Sequence, residues 1–340
     1  MALKRETKLI SVALGAITFT VAILARKASP RYSLTGKVVL ITGGSRGLGL
    51  VLAREFLRRG STVAVCARDE QELSRVRKEF ASYGHRFLTV ACDLSDKDQV
   101  FEMVEIVEKK LGPVDVLVNN AGTILVGPVE NQRIENFEEA MRINFWPSVY
   151  TSFAVTPGMK RRRSGRIVNI GSIGGKIAVP HLLPYSASKF ALAGFSQGLR
   201  AELAKDGISV TTVNPGLMRT GSPRNVEVTG QHGKEYTWFI LADSLPGISI
   251  DARRAARGIV QACISGTGEV VLGFTAKCAA MLNAIAPNAV GALLAAANQQ
   301  LLPAPGNGLS RKKGFENENA LTRSALTSLT RRAEVDNNEL

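Results

Sequence analysis

Between Lys37 and Gly273, seven short apolar runs alternate with stretches of helical character, and this rhythm restricts the fold more than any other feature of the chain. The runs are KVVLITG, TVAVCAR, RFLTVACD, VDVLVNNAG, RIVNIGS, ISVTTVNPG and EVVLG. They have strand length and high β-branched content, but not the strict alternation of a strand with one wet face. Strands buried on both faces read this way. Between them lie LGLVLAREFLRRG, DEQELSRVRKEFASYG and KDQVFEMVEIVEKKLG, each helical in pattern and each closing on glycine. The alternation predicts the α/β class: a Rossmann-type doubly wound parallel sheet of about seven strands with helices on both faces. Ligands of such sheets sit beyond the carboxyl ends of the strands, so the residues directly after each run matter most.

The first such turn is TGGSRGLG, Thr42 to Gly49. Gly43, Gly47 and Gly49 permit a tight turn and a close approach of backbone to a pyrophosphate at the start of the next helix. Ser45, Arg46 and Leu48 complete the loop. At the end of the second strand, where an acidic residue usually holds a free ribose 2′-hydroxyl, the chain has Ala67 followed by Arg68. Arg46 and Arg68 suit a 2′-phosphate, because Arg–phosphate bonds are charge-assisted and often bidentate. They also read as two surface arginines of a basic protein. The stretch YSASK is similarly open. Tyr185 and Lys189 are neighbours on one helix face, either a proton donor beside its tuning charge or two residues of a solvated surface.

With 45% hydrophobic and 21% charged residues, the 340-residue chain can bury a sizeable core. A formal net charge of +14 is compatible with an anionic membrane surface or a phosphorylated ligand. Nucleic acid is not expected, since neither a Cys/His finger spacing nor an aromatic-studded basic strand is present. Cys66, Cys92, Cys263 and Cys278 have no paired spacing, and His85, His181 and His232 are far apart, so no metal site is expected. Cys66 and Cys92 lie in apolar runs and read as small buried hydrophobes. A reducing compartment follows from unpaired cysteines.

The run Leu9 to Ala25 holds 17 residues without a charge, with Lys4, Arg5 and Lys8 before it and Arg26, Lys27 and Arg31 after it. As a helix it would be about 25 Å long, near the lower limit for a bilayer span. The expectation is an uncleaved membrane anchor and linker over residues 1–33, with a cleaved signal as the alternative. Residues 34–275 form the expected catalytic domain. Residues 276–303 form a helical extension, broken at Pro287, that packs on the domain, pairs with another subunit or lies on a membrane. Residues 304–340 are polar and nearly free of aromatics, and are expected to be a mobile tail. The basic run KRRRSGR, Lys160 to Arg166, reads as a solvated loop after a helix or as an attraction to anionic lipid.

In family order the chain carries TGGSRGLG, CDL (Cys92 to Leu94), NNAG (Asn119 to Gly122), RIN ending at Asn144, NIGS ending at Ser172, YSASK, and NPG (Asn214 to Gly216). With these motifs at these spacings it resembles the short-chain dehydrogenase/reductase family over roughly Leu34 to Gly273, about seven-tenths of its length. The resemblance implies a role for each matching position. Asp93, with Leu94 beside it, contacts the adenine, and the backbone of Asn120, Ala121 and Gly122 passes the adenosine ribose. Asn144 holds a relay water at a disturbed point of its helix, attributed to Pro147. Ser172 positions the substrate oxygen and Tyr185 is the acid or base. Lys189 binds the nicotinamide ribose and lowers the tyrosine pKa, and Pro215 and Gly216 border the nicotinamide.

The expected activity is interconversion of a carbonyl and an alcohol with NADP(H), on an apolar small molecule. Alternatives are an NADP(H)-sensing protein without turnover and an epimerase or dehydratase using the same tyrosine. The family further implies a homodimer or homotetramer through the helices holding Asn144 and Tyr185. With the anchor, the need for replenished intracellular NADPH and the unpaired cysteines lead to the expectation of a membrane-tethered enzyme whose catalytic domain lies on the cytoplasmic side. In the segment from Met218 to Ile250, Trp238, Phe239 and Ile240 either close over the substrate or are ordinary packing residues.

Overall fold

Seven strands form a single parallel sheet: β1 (Val38–Thr42), β2 (Thr62–Ala67), β3 (Phe87–Ala91), β4 (Val116–Asn119), β5 (Gly165–Ile170), β6 (Ile208–Pro215) and β7 (Glu269–Leu272). They correspond one to one with the seven apolar runs. The protein is described by a computed structural model over residues 32–340, of which Leu34–Leu340 forms one unit. The sheet order is β7-β6-β5-β4-β1-β2-β3, so the winding reverses between β1 and β4, where such sheets open a crevice for ligand.

Every residue of β1 is buried, as a strand covered on both faces must be. Leu40, Cys66, Leu117 and Ile167 point to one face, against Met103 of α3 (Lys97–Leu111) and Met159 of α5 (Trp146–Arg162). The alternate residues Val39, Ile41, Val63 and Val65 are also fully buried and point the other way. The chain order of the first helices follows the sequence pattern: α1 (Gly47–Arg58), α2 (Glu70–Glu79) and then α3. Asp69 and Asp96 cap α2 and α3 by accepting backbone N–H bonds.

After α4 (Ile134–Asn144) and α5 comes α6 (Leu183–Leu203), which carries YSASK. The basic run ends α5 rather than forming a free loop. Lys160, Arg161 and Arg162 occupy its last turn, and Arg163 closes it in the left-handed conformation at φ 49°. Cations there complement the helix dipole, and the Arg162 guanidinium also donates to the Val114 carbonyl at 2.8 Å.

The segment expected to close over substrate folds as α7 (His232–Ser244), followed by α8 (Ala252–Ser265) after β6 and before β7. Tyr236, Phe239 and Ile240 are buried with Val126, Leu182 and Val228, so Phe239 and Ile240 are packing residues. Trp238 and Tyr185 are partly buried and each packs against that cluster. The helical extension is a hairpin of α9 (Phe274–Ile285) and α10 (Pro287–Gln300). It buries only Ala276 and Val290, leaving Phe274, Ile285 and Leu301 more than 70% exposed.

Residues 304–340, expected to be mobile, are instead laid along the domain. Lys312–Lys313 adds an antiparallel strand to Glu227–Val228, and Ser328–Asp336 forms α11. The reason is polar rather than apolar burial. Arg311 binds Glu139, Glu227 and Asn136, Lys313 binds Glu227 at 2.7 Å, and Thr330 meets Ser244 Oγ at 2.8 Å. A composition argument counts apolar surface and misses such anchors. Among the described residues no helix is long and apolar enough to cross a membrane, and the run Leu9 to Ala25 lies outside them.

Candidate active site

The glycine turn after β1 crosses the chain leaving β4. Gly43 has φ +63°, and a Cβ on it would come within 2.9 Å of Ala121 Cα. Gly49 is tighter still, for a Cβ there would meet the Gly43 carbonyl oxygen at 2.0 Å and Asn120 Nδ2 at 2.6 Å. Asn120 fastens the crossing by donating its amide to the carbonyls of Thr42 and Gly43, at 3.1 and 3.0 Å. The Thr42 hydroxyl accepts from the backbone N–H of Asn120 and Ala121, at 2.9 and 3.1 Å. Sequence reasoning missed this threonine, although its place directly before the glycines marks it.

Gly47, at φ +55°, opens α1 with Leu48 buried behind it. The first turn of α1 carries no acidic residue, and Arg46 at its N-cap makes no side-chain cap. A backbone cradle at the start of a 12-residue helix favours an anion, and a dinucleotide pyrophosphate fits that donor set.

The two arginines have different surroundings. Arg46 ion-pairs with Glu72 at 3.8 Å and with Glu339 at 3.4 Å, while Ser45 donates to Glu72 at 2.5 Å. Arg68 is exposed where β2 ends, and its charge faces Asp93. Burial pushes the Asp93 carboxyl up, but hydrogen bonds from Ser95 N–H and hydroxyl, with the charges of Arg68 and Arg142, hold it below the usual range. Leu94 is buried beside it. Pro215 ends β6, and Gly216 donates to the Leu272 carbonyl at 2.8 Å. A Cβ on Gly216 would lie 2.9 Å from Ala276 Cβ, so α9 closes down on this turn.

Asn144, Ser172, Tyr185 and Lys189 come together from three elements. Ser172 follows β5, accepts the Gly174 N–H at 2.9 Å and hydrogen-bonds the Tyr185 phenol. Lys189, one turn beyond Tyr185 on α6, is buried and donates from Nζ to the Ile170 carbonyl at 3.0 Å. Its ammonium lies 5.7 Å from the centre of the Tyr185 ring. Asn144 ends α4: its Oδ1 accepts the Thr123 N–H at 2.8 Å, and its Nδ2 donates to the Thr123 carbonyl at 3.1 Å and to Ser188 Oγ at 3.0 Å. A Cβ on Gly122 would be 2.9 Å from Asn144 Oδ1 and 3.5 Å from Lys189 Nζ, so both side chains converge on this glycine.

Ser188, inside YSASK, links Asn144 to α6 and was not singled out by the sequence reading. The disturbance at Asn144 also differs in origin. The helix breaks at Phe145 (φ −114°, ψ −60°) and restarts, with Pro147 in the first turn of α5. There its missing N–H removes no helical bond, so Pro147 starts the second helix rather than disrupting one.

Burial raises the Tyr185 phenol above its ordinary value, opposed by the hydrogen bond with Ser172. Burial lowers Lys189 to about 8. Cys66, Cys92 and Cys263 are buried free thiols, and among the described residues no cluster of His, Cys, Asp or Glu could hold a metal ion.

A profile of the short chain dehydrogenase family matches residues 37–229. The chain is 38% identical over 224 residues to a dehydrogenase/reductase SDR family protein 7-like from Anopheles gambiae, covering 64% of this chain and 71% of the mosquito protein. It is 36% identical over 217 residues to the 3-ketodihydrosphingosine reductase of Mus musculus, covering 61% of this chain and 65% of that protein. A ketoacyl reductase, HetN, from a Nostoc species is 31% identical over 240 residues, covering 71% and 79%. The crystal structure of a short-chain dehydrogenase from Streptomyces avermitilis superimposes with a TM-score of 0.65 at 29% identity, covering 77% of this chain and 97% of that one.

Proposed function

Because the chain belongs to the short-chain dehydrogenase family, we propose that it is an NADP(H)-dependent oxidoreductase that reduces a ketone carried on a long apolar chain. The observation that carries this is the convergence of Asn144, Ser172, Tyr185 and Lys189 beside a pyrophosphate cradle. A protein that only sensed the dinucleotide would need the cradle alone. Two relatives bear names that specify reduction of a keto compound, the mouse 3-ketodihydrosphingosine reductase and the Nostoc ketoacyl reductase.

The nicotinamide, when bound, supplies or accepts the hydride. Tyr185 donates the proton to the carbonyl oxygen. Burial favours the neutral, proton-donating form of the phenol, the form a reduction uses. Ser172, already bonded to the phenol, holds the same oxygen in line. Lys189, with its ammonium at Gly122, binds the ribose hydroxyls. Asn144, through Ser188 and Thr123, fixes the end of a proton relay that reprotonates the tyrosine. Gly43, Ser45, Gly47, Leu48 and Gly49 hold the pyrophosphate, Asp93 and Leu94 the adenine, Asn120 and Ala121 the adenosine ribose, and Pro215 and Gly216 the nicotinamide. Arg68, with Arg46, binds the 2′-phosphate.

The test is purified protein with NADPH and a panel of ketones of increasing chain length, including a long-chain 3-keto amino alcohol and a 3-ketoacyl thioester, read at the NADPH absorbance. Turnover rising with chain length is expected. No turnover with any ketone, despite cofactor binding, would favour a sensor.

A further inference from the structure

The carboxyl terminus of the chain enters the cradle just described. The Asn337 carbonyl accepts the Gly47 N–H at 2.9 Å, the first backbone donor of α1. Glu339 is buried, and its carboxylate faces Gly47 so closely that a Cβ there would come within 2.6 Å of Glu339 Oε1. The same carboxylate pairs with Arg46 at 3.4 Å. Asn338 donates to the Ser45 carbonyl at 2.8 Å and accepts from Arg75 at 2.6 Å, while Asn337 accepts from Arg54 at 3.1 Å. The opposite wall is the loop after β6: Asn225 donates to Glu339 at 2.7 Å and Asn337 donates to the Thr220 carbonyl at 3.0 Å. A carboxylate thus stands at a helix N-terminus, beside an arginine, in a glycine turn. Those are the interactions a phosphate would make.

We propose that Asn337–Leu340 is an internal ligand of the dinucleotide phosphate site, and that the cofactor binds only after this tetrapeptide is displaced. The proposal rests on the cofactor reading above and adds its regulation. The contacts are suited to exchange. They are almost wholly polar, and the one apolar side chain, Leu340, is 63% exposed. Displacement also need not unfold α11, which is anchored separately through Thr330 on Ser244 and Asp243. The dinucleotide offers more negative charge than one carboxylate does, its pyrophosphate to the same N–H groups and its 2′-phosphate to Arg46. The dinucleotide is therefore a competent competitor, but it meets a tail held at high effective concentration.

NADPH is titrated into the full chain and into a chain ending at Asp336, with binding read by calorimetry. Apparent affinity is reduced in proportion to the open fraction, so the shortened chain should bind roughly tenfold or more tightly. The synthetic peptide EVDNNEL, added to the shortened chain, should weaken NADPH binding competitively. Glu339→Ala in the full chain removes the buried acceptor whatever its charge, so it should move affinity in the same direction as truncation, which guards against a folding defect of the shortened form. Saturating NADPH should also speed removal of Leu340 from the full chain by carboxypeptidase. Equal affinity in both chains, or weaker binding after truncation, would overturn the internal ligand while leaving the cofactor reading intact. If neither chain bound any dinucleotide, the cofactor reading itself would fall and the proposal with it.

Discussion

Tyr185 shows how one residue's chemistry depends on what surrounds it. In the free protein its phenol is raised by burial, opposed by the hydrogen bond with Ser172, and burial lowers the neighbouring Lys189 to about 8. Replacing Tyr185 by Phe removes one oxygen and leaves the α6 packing. Turnover should fall at least ~100-fold, the lower range for acid–base groups, with NADPH binding changed by no more than a few-fold. Retained turnover would show that another group delivers the proton. Arg68 poses a separate question, because it is exposed and its charge acts on Asp93. Arg68→Ala should weaken NADPH roughly tenfold, the scale of one charged hydrogen bond, and leave NADH unchanged. Equal loss of both cofactors in the same titration would make Arg68 structural. Each of these residues was legible in the sequence because it sits in a short motif. Thr42, Ser188 and Glu339 were not, since their roles depend on what lies across from them in space.

At the scale of elements, the sheet and its helices were readable because burial on both faces imposes a continuous apolar run. The segment 304–340 was not, because its anchors are ion pairs and hydrogen bonds to residues far away in sequence. Its docking carries a pH dependence that composition could not suggest. Burial raises Glu339 to about 7, opposed by Arg46 and Asn225 and reinforced by the charge of Glu72. Glu334 is likewise raised to about 7 by burial and by Glu318 and Glu339, opposed by Arg224 and Arg331. A carboxyl whose docked pKa lies above its free value favours docking in full below the free value. It loses that contribution as pH rises to the docked value. Each such group weakens docking by up to about tenfold per pH unit within that window. The difference in NADPH affinity between the full chain and the chain ending at Asp336 should therefore shrink from pH 5.5 to pH 7.5 and stay level above. Taking the ratio cancels the titration of NADPH itself. A difference that grew with pH would mean that the pairing with Arg46 outweighs the cost of burying the ionised Glu339.

For the whole molecule, the decisive division is between Leu34–Leu340, which forms one unit, and the amino-terminal segment before it. The sheet, the cradle and the residues around Tyr185 all draw on elements after Ser33, so the fold should survive removal of residues 1–31. We propose that the run Leu9 to Ala25 tethers the protein to a membrane. Its length is near the lower limit for a span, and basic residues flank it on both sides, so charge does not choose the orientation. Cofactor supply does: NADPH is replenished inside the cell, and buried unpaired thiols suit the same side. The full chain should therefore sediment with membranes and need detergent for release, while the chain starting at Tyr32 should leave that fraction with its cofactor binding intact. The apolar hairpin of α9 and α10 provides the internal control. Phe274, Met281, Ile285 and Leu301 are each more than 60% exposed, so the shortened chain would stay with membranes if they, rather than Leu9 to Ala25, made the attachment. Full chain recovered without detergent, or catalytic domain cleaved by protease added outside intact cells, would exclude a cytoplasmic-facing anchor.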